Sequence, residues 1–129
     1  PDSTKYTTAT EQLLERIDSL DAYCAQRIKE TGIEAVMIYH PAYTYYARDY
    51  SIEQIAIEHD GKEPSLRQTT ELIDRAKRHG ITAILCQPQY SADKVRAIAE
   101  EAGAEIITTD PLSEDILGEI ERITDVICR

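Results

Sequence analysis

Three polar residues in this chain stand directly before a proline at the end of an apolar stretch: His40-Pro41, Gln87-Pro88 and Asp110-Pro111. They bring an imidazole, an amide and a carboxylate. A neutral imidazole ligates zinc well, and a carboxylate adds charge that offsets a dication. Amides are poor zinc ligands, so Gln87 reads as a hydrogen-bonding support or a turn residue. His40 and Asp110 also have structural readings. Either could cap a following helix, the common role of Asp before Pro at a helix start. What favours a shared site is recurrence. Each of the three follows a glycine by seven or eight positions (Gly32, Gly80, Gly103), with the apolar stretch between.

That recurrence defines the elements that must position the side chains. A residue before proline is held extended, so it still belongs to the strand. The proline then suits the first turn of the next helix. Residues 8–30 read as one long helix, with Leu13, Ile17, Leu20, Cys24 and Ile28 on a single stripe. Strands are expected at 34–39, 54–58, 81–86 and 104–107. Helices are expected at 41–49, 65–79, 92–102 and 113–127. Ser65 is the expected cap of its helix, with Gln68 as capping-box partner. This order, one helix followed by four βα units, predicts an α/β fold: a four-stranded parallel sheet with helices on both faces, preceded by a long connecting helix. In such a sheet His40, Glu58, Gln87 and Asp110 share the carboxyl edge, where α/β proteins bind ligands.

The 129 residues suit one domain with a real core. A formal charge of −10 argues against nucleic acid and against an anionic membrane as partners. No stretch is long and apolar enough to insert in a membrane. The chain starts at Pro1 without an initiator methionine and reads as a piece of a longer protein. Four of its eight tyrosines fall within 43–50, beside His40, as expected of a helix packing its aromatics on the sheet. Cys24 reads as a buried thiol, and no CxxC pair supports a zinc ribbon. His59, Asp60 and Glu63 read as a solvated loop, and His79 as a residue ending a helix.

Several enzyme classes lack their motifs. There is no GxGxxG, no GxxxxGK[ST] and no GxSxG. A phospho-receiver needs acidic residues where His40 and Gln87 stand. A Cys86–His40 nucleophile pair has no oxyanion site in the sequence to serve it. These particular enzyme classes are thereby argued against.

The string Tyr39-His40-Pro41-Ala42-Tyr43 with Tyr45-Tyr46-Ala47-Arg48-Asp49-Tyr50 resembles the C-terminal lobe of zinc-binding solute-binding proteins of bacterial metal ABC importers, the cluster A-I type. So do Gly61-Lys62-Glu63-Pro64-Ser65, Cys86-Gln87-Pro88-Gln89-Tyr90-Ser91 and Thr109-Asp110-Pro111-Leu112. The resemblance implies a two-lobed extracytoplasmic receptor, in the periplasm or on the cell surface, that passes zinc to an ABC permease. It implies that 1–31 is part of the helix joining the lobes, that 32–129 is the C-terminal lobe, and that an N-terminal lobe holds the remaining ligands. It makes His40 and Asp110 the metal ligands here, with Gln87, Tyr43, Tyr45 and Tyr46 lining the cleft. Manganese members generally carry Glu at the first position, so His40 favours Zn2+ over Mn2+. Some relatives have a disulfide in this lobe, which together with a last helix folding back on the sheet makes Cys86–Cys128 the expected pair. The alternative is a metal-free α/β interaction domain, an adhesin-like surface module.

Overall fold

The computed structural model describes residues 2–129. Its elements run α1 (Asp2–Thr31), β1 (Ala35–Ile38), α2 (Thr44–Asp49), β2 (Glu53–Ala56), α3 (Leu66–Arg78), β3 (Ala83–Cys86), α4 (Ala92–Ala102), β4 (Glu105–Thr108) and α5 (Ile116–Ile127). The four strands are all parallel, in the order β2-β1-β3-β4. The expected fold class is therefore the observed one.

Alternation along the strands builds two cores. Ala35, Met37 and Tyr39 face one way, with Ile84, Cys86 and the apolar faces of α3 and α4. Val36 and Ile38 face the other way, with Ala83, Leu85, α5, α2 and the lower end of α1. All four residues of β1 and of β3 are buried, as expected of central parallel strands covered on both faces. The edge strands β2 and β4 keep exposed positions.

Local chemistry starts and stops the helices. Ser65 accepts the backbone N–H of Gln68 while the Gln68 side chain accepts that of Ser65, the expected capping box. Gly103 ends α4 at φ +70°, a left-handed turn that a side chain would strain. The prolines do not behave as expected. Helices begin at Thr44, Ala92 and Ile116, beyond Pro41, Pro88 and Pro111 by several residues. Ser91 and Asp115 instead supply the caps of α4 and α5. A side-chain acceptor satisfies a free N–H, which proline at the first position only avoids. The prolines lie in the turns that carry the chain over the sheet edge.

α1 is 30 residues long, about 45 Å at 1.5 Å per residue. Only Cys24 and Ile28 are buried in it. Its lower end is seated by Tyr50 Oη donating to Asp21 (2.7 Å), by Tyr23 donating to Asp125 and by Arg27 donating to the Cys128 carbonyl (3.0 Å). Farther up, Leu13, Leu14 and Ile17 are exposed. No helix among the described residues is long and apolar enough to cross a membrane.

The Cys86–Cys128 pair is not formed. All three thiols are free and buried. Cys86 lies in the α3/α4 core and Cys128 in the α5 core, with the sheet between them. The last helix does fold back on the sheet, but on the face that Cys86 does not reach. Burial pushes all three thiols up from their ordinary range, which suppresses the reactive thiolate. Thiol titration should give three free thiols after unfolding without reductant and slow reaction in the native protein. A single reactive thiol on unfolding would restore the disulfide.

Candidate functional site

The chain leaves β1 towards β2 on one side and leaves β3 towards β4 on the other. Between β1 and β3 the winding reverses, and the connections diverge onto opposite faces. Such a switch point opens a crevice beyond the carboxyl ends of the strands. His40 follows β1 and Gln87 follows β3, so the two flank it.

Gln87 is 1% exposed and ties the two strand ends together. Its amide nitrogen donates to the His40 carbonyl at 2.8 Å, and its oxygen accepts the His40 backbone N–H at 3.4 Å. The Gln87 side chain thus pairs with both backbone polar groups of His40. The His40 imidazole is half exposed. Its Nδ1 lies 2.5 Å from Glu58 Oε2, and the Tyr90 ring stacks on it at 5.7 Å. Tyr90 rests in turn against Tyr39, at 4.8 Å. Three neighbours thus fix one ring: an amide at its backbone, a carboxylate at one nitrogen and an aromatic on its face.

Glu58 is buried. The hydrogen bond from His40 holds its carboxyl below the usual range, with help from the Gly61 backbone N–H and against the cost of burial. Sequence reasoning placed Glu58 at this edge but gave it no task, because it ends β2 without a following proline. Tyr90 was missed too. Its signal was its place three residues beyond Gln87, in the turn before Ser91.

Asp110 lies at the end of β4, and β3 separates it from β1. At about 4.8 Å per strand, the backbones of His40 and Asp110 are roughly 10 Å apart across the sheet. Asp110 is exposed, and Oδ1 accepts the Leu112 backbone N–H at 3.0 Å. It therefore caps a turn, while Asp115 caps α5. Its backbone N–H donates to Glu119 Oε1 at 2.9 Å. Arg122 grips both oxygens of Glu119, at 2.6 and 3.1 Å, and donates to the Thr108 carbonyl at 2.7 Å. That guanidinium holds the Glu119 carboxyl below its usual range. Tyr43 Oη lies 2.5 Å from Thr109 Oγ1, which donates to Glu119 at 3.2 Å. The strand end bearing Asp110 is thus anchored to α5 and α2.

Two of the tyrosines expected to line a cleft face inward. Tyr43 is buried, and Tyr46 packs on the α5 core with Oη 2.7 Å from Thr124 Oγ1. Their rings fill the gap between the short α2 and the sheet, so only Tyr45 is open, covered in part by Arg48 at 4.9 Å. His59 and Asp60 pair with each other at 3.6 Å in an exposed loop. His79 ends α3 at the amino edge, beside Glu34 and Glu53. Among the described residues no three His, Cys, Asp or Glu side chains gather closely enough to hold a metal ion.

Comparison with known proteins gives an independent line. A family model described as the periplasmic zinc-uptake complex component A (ZnuA) matches residues 1–124. The zinc-binding lipoprotein AdcA of Streptococcus pneumoniae (strain R6) is 28% identical over 101 residues, 77% of this chain and 20% of that protein. A crystal structure of ZnuA superposes with a TM-score of 0.87 at 30% identity, covering 97% of this chain and 49% of that one. The laminin-binding protein Lmb of Streptococcus agalactiae superposes at 0.80 with 22% identity, over 95% of this chain and 52% of its own, a likeness of fold alone. The chain thus spans about half the length of these solved structures and a fifth of AdcA.

Proposed function

The chain belongs to the periplasmic zinc-uptake component A family of zinc-binding solute-binding proteins, and from that premise we propose that it captures zinc outside the cytoplasm as the C-terminal half of a two-lobed receptor. Residues 1–31 are then part of the helix joining the lobes and 32–129 the C-terminal lobe. His40 and Asp110 ligate the ion, and an N-terminal lobe supplies the other ligands. An ABC permease receives the zinc, and no catalysis is involved. The relative named a lipoprotein supports an extracytoplasmic place. The uncovered Leu13, Leu14 and Ile17 on α1 support a lobe packed beyond the described residues.

One observation carries the reading: a half-exposed imidazole held rigidly at the switch point, with a carboxylate on the same edge. Neither residue is needed for the core, since the His40 ring and Asp110 both reach solvent. An imidazole with a carboxylate favours zinc over manganese, which prefers oxygen ligands. A closed zinc site wants four ligands, and two from this chain leave the rest to water.

Calorimetric titration of the 129-residue chain with zinc tests this. Binding should be weak, and His40→Ala should reduce it at least about a hundredfold, beyond the roughly 10–100-fold typical of losing a residue behind a ligand. Asp110→Ala should weaken it in the same direction. Unchanged binding in His40→Ala would show that the site in use is not the one proposed, and no zinc binding by the wild type would leave the metal-free interaction domain as the better reading.

A further inference from the structure

Glu58 uses both oxygens of a carboxylate that is only 8% exposed. Oε2 lies 2.5 Å from His40 Nδ1, and Oε1 accepts the Gly61 backbone N–H at 2.5 Å. The loop that presents this N–H is closed by His59 and Lys62, whose backbones exchange hydrogen bonds at 3.1 and 2.9 Å. Gly61 takes φ +73° to make the turn, so its N–H is a fixed donor. An ionised carboxylate only accepts hydrogen bonds, so the ring atom facing Oε2 must be the donor. Nδ1 then carries the proton, and the lone pair is on Nε2.

From this geometry we propose that Glu58 is a positioning residue that selects Nε2 of His40 as the ligating nitrogen, with the 59–62 loop holding Glu58 to the task. The proposal rests on His40 being a zinc ligand. A free imidazole in water favours the opposite tautomer, with the proton on Nε2. The contact with Glu58 reverses that preference before any ion arrives. Tyr90 on the ring face and Gln87 on the backbone then fix the direction of the lone pair.

Glu58→Gln separates this role from mere filling of space. The fixed Gly61 N–H claims the one amide oxygen. The amide NH2 is left facing Nδ1, where only an acceptor fits, and the proton moves to Nε2. A side chain of the same shape thus blocks the ligating atom.

The test is ¹⁵N NMR of the imidazole nitrogens in the metal-free chain, at a pH where the rings are neutral. Zinc titration of the wild type, Glu58→Gln and His40→Ala accompanies it. The wild type should show protonated Nδ1 on His40. Glu58→Gln should show protonated Nε2 and bind zinc about 10–100-fold more weakly. A wild-type ring protonated at Nε2 overturns the proposal without any variant, and so decides it even if Glu58→Gln fails to fold. A folded Glu58→Gln with unchanged tautomer and unchanged zinc affinity overturns it as well. Unchanged zinc binding in His40→Ala overturns the ligand reading instead, and the ring spectra still report separately on the Glu58 contact.

Discussion

Truncating Leu85 to alanine should cost about 2–5 kcal/mol, and we expect a value in the upper half of that range. Leu85 is 1% exposed on β3, a central strand paired on both sides. It packs among Val36, Ile38, Tyr43 and Ile123, where no space remains for a water molecule. The cost of a cavity depends on how far the surroundings collapse into it. Here the strand is held in register by β1 and β4, and α5 is held by Thr124, whose Oγ1 lies 2.7 Å from Tyr46 Oη, and by Arg122, which donates to the Thr108 carbonyl, so collapse is restricted. A typical domain is stable by only about 5–15 kcal/mol, so one truncation removes a large share. Ile106, half-buried on the edge strand, should cost less when truncated, because an edge strand can shift. Urea unfolding of both variants measures this. A loss under about 1 kcal/mol at Leu85 would mean that the core around β3 is not packed as described.

Gln87→Leu should destabilise the chain by about 1–3 kcal/mol and weaken zinc binding with it. Leucine fills a similar volume but cannot pair with the His40 backbone. The His40 carbonyl loses its 2.8 Å partner in a part-buried contact, where the leucine would offer no donor. An unmet buried polar group costs more than the net value of the bond it once made. The imidazole follows its backbone, so its approach to the ion is altered too. His40→Ala is the contrast. It removes the half-exposed ring and should weaken zinc binding at least about a hundredfold. The Gln87–His40 backbone pairing stays in place, so the stability loss comes instead from the buried Glu58 carboxylate that loses its partner. If Gln87→Leu is as stable as the wild type and binds zinc equally, the amide does not tie β1 to β3.

The order of elements was legible in the sequence because its signals are short-range. Apolar periodicity, glycine stops and the Ser65–Gln68 capping box each act within a few residues. The same signals placed His40, Gln87 and Asp110 at equivalent ends of parallel strands, since every βα unit exposes the same edge. The strand order was decided only by the tertiary structure, because it depends on which way each crossover turns. That order inserts β3 between the strands of His40 and Asp110 and sets β2 beside β1. It thereby brings Glu58 within 2.5 Å of His40, across 18 positions of sequence. The faces taken by the helices were equally hidden. α5 covers the face of Leu85, so Cys128 and Cys86 lie on opposite sides of the sheet. α2 turns Tyr43 and Tyr46 inward, because a six-residue helix is too short to close that core without them. Local chemistry thus determined which groups reach the edge, and long-range packing decided which of them meet.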